Sequence, residues 1–368
     1  MSPANMAGVD EPIKGPASEP PVPLPLSVPR LARHTFELAD GHRIGLAVSG
    51  RGVPLVVVHG FTAEGFLYAQ TLHRLVRKGF KVIAIDMAGH GGTQGLPQTG
   101  ARLGDYADLM GRAIEELGIK KAVLAGHSMG GRVVAQLAAR RPEQAIAALL
   151  IDAIVGDQWD LLVNVFRVNP LLMGALGGVL FLDTASTVPL LRDPNQAVKL
   201  GRLAMPTALG HALQPWRLLS PAISIMRSKG SRKLLEALAE NHVPTFVIHG
   251  DRDLIVPYCT AESAARRSNG QLVRVRHAAH SWLLKDPETL PAIVSELLED
   301  KLGAAIRQSI TAAGARSVDQ LEDIFYTDDA PILRLTPELT WTRLDESHRR
   351  PRYTWDTHEP GEPGAQAS

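Results

Sequence analysis

The sequence predicts an α/β protein, a mostly parallel sheet with helices on both faces and a helical cap inserted between two of its strands. Three observations lead there. From His34 to Ile151, β-rich apolar runs alternate with helical patterns, as parallel strands joined by crossover helices require. That alternation stops over residues 153–242, which hold no convincing strand, and resumes at Thr245–Ile248. Finally, Gly126-His127-Ser128-Met129-Gly130 follows the apolar run Ala122–Ala125 and opens directly onto a helix-like stretch reaching Arg141.

Taken in order, residues 1–30 contain eight prolines, with Asp10, Glu11 and Glu19 ahead of any apolar run. They read as a disordered or polyproline-like lead-in, without the basic start and apolar core of a secretory signal. His34–Leu38 and Arg43–Val48 suit an opening hairpin. Leu55–Val58, Val82–Ile85, Ala122–Ala125 and Ala147–Ile151 lack polar alternation and read as strands buried on both faces. Leu67–Lys78, Leu103–Leu117 and Met129–Arg140 carry apolar residues at helical spacing. In the leucine-rich segment 153–242, breaks at Pro170, Pro189, Pro194, Pro206, Pro215 and Pro221 predict short helices, a cap over the strand ends. Thr245–Ile248 and Leu272–Val275 supply the last strands and Pro287–Ile306 the last helix, giving a core of residues 31–152 and 243–305. The extension 306–368 holds Tyr326, Trp341, Tyr353 and Trp355. A disordered tail is poor in aromatics, so part of it is expected to dock on the body. No internal repeat is evident.

At 45% hydrophobic residues over 368 positions the chain can bury a core without staples. Its single cysteine, Cys259, excludes an internal disulfide and a cysteine metal cluster, and fits a reducing compartment. A net charge of +1 gives no argument for nucleic acid or for an anionic membrane. The most apolar stretch, Val168–Leu182, is interrupted by Asn169 and Pro170 and is too short to span a bilayer. The expectation is a cytoplasmic protein, at most associated with a membrane surface. The basic cluster Arg227, Lys229, Arg232 and Lys233 reads as a solvated helix end, with contact to anionic lipid as the alternative. Nothing in the sequence sets an oligomeric state.

A strand, a Gly-x-Ser-x-Gly turn and a helix lift a serine hydroxyl above a sheet. The hydroxyl needs a base to take its proton and a carboxylate to fix that base, in the chain order serine, acid, histidine. The loop after Leu272–Val275 offers His277 and His280. The turn after Thr245–Ile248 offers Asp251 and Asp253, and Asp152, ending an earlier strand, is a rival acid. Backbone N–H donors for an oxyanion would come from Met129, at a helix start, and from Phe61, in the loop His59-Gly60-Phe61-Thr62. His59, Asp86 and His90 read as residues that shape these loops. His127 and Trp282 are candidates to line a substrate pocket, and read equally as a satisfied structural histidine and a core side chain.

With these segments in order, the chain resembles an α/β-hydrolase-fold serine hydrolase with a helical cap, esterase- or lipase-like. The matching pieces are His59-Gly60-Phe61-Thr62, Asp86-Met87-Ala88-Gly89-His90-Gly91, the Ser128 turn, Gly250-Asp251-Arg252-Asp253 through Pro257, and His280 with Asp286-Pro287. They cover residues 34–300. The resemblance implies an eight-stranded, mostly parallel sheet, the triad Ser128, Asp253 and His280, no metal and no organic cofactor. It selects His280, seven residues before Pro287, over His277, and Asp253 as the acid, with Asp251 supporting the turn. Serine at 128 argues against epoxide hydrolase and haloalkane dehalogenase chemistry, which use a carboxylate nucleophile. The apolar cap from Leu161 to Leu182 suggests a hydrophobic pocket. The activity expected is hydrolysis, through an acyl-enzyme, of a small-molecule carboxylic ester with an apolar acyl or aryl group. Carbon–carbon bond hydrolase, thioesterase, lactonase and cofactor-free perhydrolase chemistry on the same triad remain alternatives, as does a non-catalytic scaffold.

Overall fold

A strand with apolar side chains at every position has no face to show to solvent and belongs in the middle of a covered sheet. In the computed structural model, which describes residues 27–61, 68–97, 102–187, 216–314, 320–335, 341–343 and 350–360, with 198, 201, 205 and 213 singly, such strands take that place. In chain order the strands are β1 (Ser27–Pro29), β2 (Ala32–Glu37), β3 (Arg43–Ser49), β4 (Val53–Val58), β5 (Phe80–Ile85), β6 (Ala122–His127), β7 (Ala145–Ile151), β8 (Thr245–Gly250), β9 (Gln271–Val275), β10 (Trp341–Arg343) and β11 (Trp355–His358). The main sheet runs β11-β9-β8-β7-β6-β4-β5-β3-β2. From β5 to β9 its neighbours are parallel. β5, β6, β7 and β8 are buried along their whole length. β2, on the edge, alternates half-buried and exposed residues, as a strand with one wet face should.

Helices α1 (Ala69–Val76), α2 (Leu103–Glu116) and α3 (Met129–Arg140) make the first crossovers. α1 packs with Thr289–Glu299, whereas α2 and α3 pack on each other and α3 also meets Arg232–Glu240. Two helical layers thus cover the sheet. Between β7 and β8 lie α4 (Asp157–Val168), α5 (Pro170–Ser186) and the helices Trp216–Met226 and Arg232–Glu240. Asn169 and Pro170 separate α4 from α5, with the Asn169 side chain accepting from Leu171 N at 3.2 Å. Pro221, by contrast, lies inside a helix rather than ending one. Pro189, Pro194, Pro206 and Pro215 fall outside the described residues.

Other expectations need correction. The main sheet has nine strands, not eight, because β11 from the extension pairs antiparallel with β9, Trp355 opposite Val275 and His358 opposite Leu272. Residues 27–29, assigned to the lead-in, pair with Trp341–Arg343. The last helix is two, Thr289–Glu299 and Lys301–Ala312, broken where Asp300 takes φ −114 and ψ −125. Within the extension, Phe325 and Tyr326 are also buried. There Lys120 N donates to Phe325 O at 2.8 Å and Thr327 N to Gly118 O at 2.8 Å.

Candidate active site

Every candidate residue sits at the carboxyl end of a parallel strand, where open α/β sheets place their sites. Ser128 follows β6 with φ 54 and ψ −119, a backbone region that a non-glycine residue enters only under constraint. The flanking glycines allow it. A Cβ on Gly130 would stand 2.2 Å from Val58 O, and one on Gly126 would stand 2.3 Å from Gly130 O. The turn is pinned by Ser128 N donating to Ile151 O at 2.9 Å and Ile154 N to Ser128 O at 3.2 Å.

The loop after β9 and the turn after β8 meet beside it. His280 Nδ1 lies 2.7 Å from Asp253 Oδ2, with both side chains buried. The other oxygen, Asp253 Oδ1, accepts from Ile255 N at 2.7 Å and Val256 N at 2.8 Å, so His280 Nδ1 carries the proton of this pair and Nε2 is left as the basic nitrogen. Burial pushes the Asp253 carboxyl up, but the His280 charge and hydrogen bond outweigh it and hold the group below the ordinary carboxylate value. Burial likewise pushes the His280 imidazole down. The charge and hydrogen bond of Asp253, with Asp152 and Asp183 beyond, raise it to about 8. Among the described residues the Ser128 hydroxyl makes no hydrogen bond, so the structure joins acid to base and leaves the serine–base contact open. A contact of this kind commonly tightens only when substrate binds.

The rivals have other tasks. Asp152, at φ 43, accepts from Trp282 Nε1 at 2.6 Å and from Gly250 N at 2.8 Å. It therefore ties the loop of His280 to the turn of Asp253, and burial raises its carboxyl to about 6. Asp251 accepts from His277 N at 2.6 Å and from Arg274. His277 itself is exposed, at φ 59.

Both pocket candidates make internal contacts, and His127 also lines an apolar cavity with Tyr68, Leu72 and Leu283. Trp282 is 1% exposed, in the core, with its indole N–H spent on Asp152. His127 has both nitrogens engaged, Nε2 with His280 O at 3.1 Å and Nδ1 with Tyr68 O–H at 3.0 Å. Burial, then the His280 charge, lowers it to about 3. It is a neutral brace that holds the His280 backbone.

The Phe61 candidate oxyanion amide is oriented by histidines. Met87 N donates to His59 Nε2 at 2.9 Å, which leaves His59 Nδ1–H to donate to Gly60 O at 2.7 Å. That carbonyl belongs to the peptide carrying the Phe61 N–H, and in a trans peptide the two point in opposite directions. His90 Nε2 reaches Phe61 O at 2.8 Å. The Met129 N–H opens α3, where the helix dipole favours a negative charge. Asp152, His249 and Asp253 also bring potential ligand atoms within 4.8 Å of one another. Their carboxylate oxygens are already engaged by Trp282, Gly250, His280, Ile255 and Val256, which makes the cluster a hydrogen-bond network rather than a ready metal site.

Residues 53–287 match the sequence model of the alpha/beta hydrolase fold. The chain belongs to the α/β-hydrolase-fold family. A relative in this family, named as a putative non-heme haloperoxidase of Mycobacterium phage D29, is 35% identical over 291 residues, covering 77% of this chain and all of that protein. Among solved structures, a thermophilic esterase from Thermogutta terrifontis aligns with TM-score 0.55 at 23% identity over 74% of this chain and 99% of that one. A bromoperoxidase from Bacillus anthracis aligns with TM-score 0.58 at 19% identity over 73% and 100%. At these identities the structural likenesses carry the fold of the family and not a substrate.

Sequence reasoning missed three residues at this site. Tyr68, which holds His127, left no pattern to find. Asp152 was weighed only as a rival acid. Asp183, on α5, accepts from Ser281 N at 2.8 Å beside His280. It closes a stretch from Leu161 to Leu182 whose one charge is Arg167, and that isolation was a signal.

Proposed function

We propose that the protein hydrolyses carboxylic esters with an apolar acyl or aryl group, through an acyl-enzyme on Ser128. The observation that carries this reading is the 2.7 Å contact of His280 Nδ1 with Asp253, beside a serine held in the left-handed turn at the start of α3. His280 Nε2 takes the Ser128 proton as the oxygen attacks the carbonyl carbon. The Phe61 and Met129 amides receive the oxyanion, and His280 returns the proton to the departing alcohol. Water then repeats the sequence and releases the acid. Asp253 stays ionised throughout and stabilises the imidazolium.

A fluorophosphonate probe tests the nucleophile. Wild-type protein should label at Ser128 and Ser128→Ala should not; folded wild type that never labels ends the reading. A panel of p-nitrophenyl esters from acetyl to palmitoyl then tests the apolar preference, which equal turnover of the shortest and longest would refute.

The name of the phage relative supports a second reading. Hydrogen peroxide in place of water would attack the same acyl-enzyme, giving a peracid and free Ser128. Peroxide-dependent bromination of a dione in acetate buffer containing bromide, which the peracid oxidises to hypobromous acid, is the measurement for it, and it should be lost in Ser128→Ala.

A further inference from the structure

A surface helix normally shows charged and polar residues on the side away from the core. α5 does not. Met173, Leu176 and Leu180 pack against the body, while Leu171, Phe181 and Leu182, at 84%, 71% and 68% exposure, point outward. Gly174, Gly177 and Gly178 lie on open space, and no charged residue occurs between positions 168 and 182. α4 shares it in part, with Asn164 and Arg167 exposed among its apolar side chains. Trp159, Val163 and Phe166 are buried, and Leu161, Val165 and Val168 are exposed. Exposed apolar side chains gathered on two consecutive helices mark an interaction face.

What borders the surface says which partner it fits. Where α4 ends, Arg167 donates to Met226 O at 2.7 Å. There Arg102, Arg167, Arg227 and Lys229, with Met226, line a hollow of about 470 Å³, and among the described residues no acidic side chain lines it. The net charge of +1 hides this local concentration. Apolar side chains beside a cationic rim are the combination that seats a helix in the headgroup boundary of an anionic bilayer. We propose that the outer face of α4 and α5 docks on a bilayer containing anionic phospholipid, with the apolar side chains at the acyl boundary and the basic hollow on headgroup phosphates. At the far end of α5, Asp183 and Thr184 contact Ser281, so the docked helix terminates at the loop of His280. The docking is independent of the ester reading; only delivery of a lipid ester to Ser128 rests on it.

Co-sedimentation with phosphatidylcholine vesicles, alone or with about a quarter phosphatidylglycerol, tests the docking on the full chain. Wild type should sediment with the anionic vesicles at low salt and dissociate at high salt. Arg227→Glu with Lys229→Glu should weaken binding about tenfold or more, and Leu171→Asp with Phe181→Asp should abolish it. All four side chains lie on the surface of the cap, and circular dichroism checks that the variants fold. The salt response of wild type tests the electrostatic half without any variant. Ser128→Ala should bind as wild type does, which separates this proposal from the fate of the catalytic one. Wild type left in the supernatant with anionic vesicles at low salt overturns the proposal, as does binding indifferent to all four substitutions. A dimer in light scattering that Phe181→Asp splits also overturns it, assigning the face to a second copy.

Discussion

At the scale of single residues, the site is a set of opposed forces on two groups. Asp253 and His280 each lose hydration, and each is kept charged by the other. Because the free base must be neutral to accept a proton, kcat/KM should rise with pH through an apparent value near 8. The stability contribution of the pair runs the opposite way. His280 is raised above its value of 6.5, so the stabilisation is complete below about 6.5 and fades as pH rises through about 8. Asp253→Asn should keep the shape of the contact and lose the correct tautomer. A fall in kcat of about four orders of magnitude with little change in KM is expected, and the apparent value near 8 should move down. A kinetic profile that keeps its midpoint in the variant would remove Asp253 from the relay. Trp282→Phe tests the neighbouring network, because it strips a buried carboxylate of an indole donor. Urea denaturation should show a loss of about 1–3 kcal/mol, and a variant as stable as wild type would show that Asp152 needs no such partner.

At the scale of elements, the clearest coupling runs from α5 to the catalytic loop. Asp183 Oδ2 accepts from Ser281 N at 2.8 Å, and Thr184 Oγ1 lies 3.1 Å from Ser281 Oγ. Asp183 also acts on His280 as a negative charge, less strongly than Asp253 and Asp152. Asp183→Asn should therefore lower the pH midpoint of kcat/KM while leaving the alkaline plateau close to wild type. Asp183→Ala, which removes the acceptor as well, should lower the plateau too. Identical profiles in the two variants would sink the idea that α5 positions the loop. Most elements were legible in the sequence because a strand buried on both faces is continuously apolar, as in Ala147–Ile151, and an amphipathic helix keeps one spacing, as in Leu103–Leu117. The break at Asp300 was not legible, since the apolar spacing carries across it and only tertiary packing sets the angle between the two halves. Nor was the outward face of α5, because an all-apolar helix does not announce which side is covered. The triad candidates were readable from motif order, whereas the braces Tyr68 and Asp183 depend on contacts between segments far apart in the chain.

At the scale of the whole molecule, the extension converts an eight-strand expectation into a nine-strand sheet. β11 covers the β9 edge, which would otherwise present unpaired backbone groups to a second chain. Arg276 pairs with Asp356 at 2.6 Å, and Trp355 Nε1 donates to Glu296 at 2.8 Å. These exposed contacts set the register of β11 but add little stability. The sequence hinted at this docking only through its aromatics, because a four-residue strand such as Trp355–His358 is too short to show a period. The larger anchor lies elsewhere. Tyr326 is 1% exposed and bridges to Ile119 just ahead of β6, next to fully buried Phe325. Truncating so large a buried side chain leaves a cavity as well as losing its transfer energy. Tyr326→Ala should therefore cost about 3–5 kcal/mol, read as a lower urea midpoint with one unchanged transition. That single transition is the decisive part. If the extension folds with the core, Trp355 fluorescence and far-ultraviolet circular dichroism must move together in the variant, even though Trp355 and Tyr326 belong to different parts of the extension. A separate early fluorescence transition, or a loss below about 1 kcal/mol, would instead make the extension an appendage that unfolds independently of the sheet.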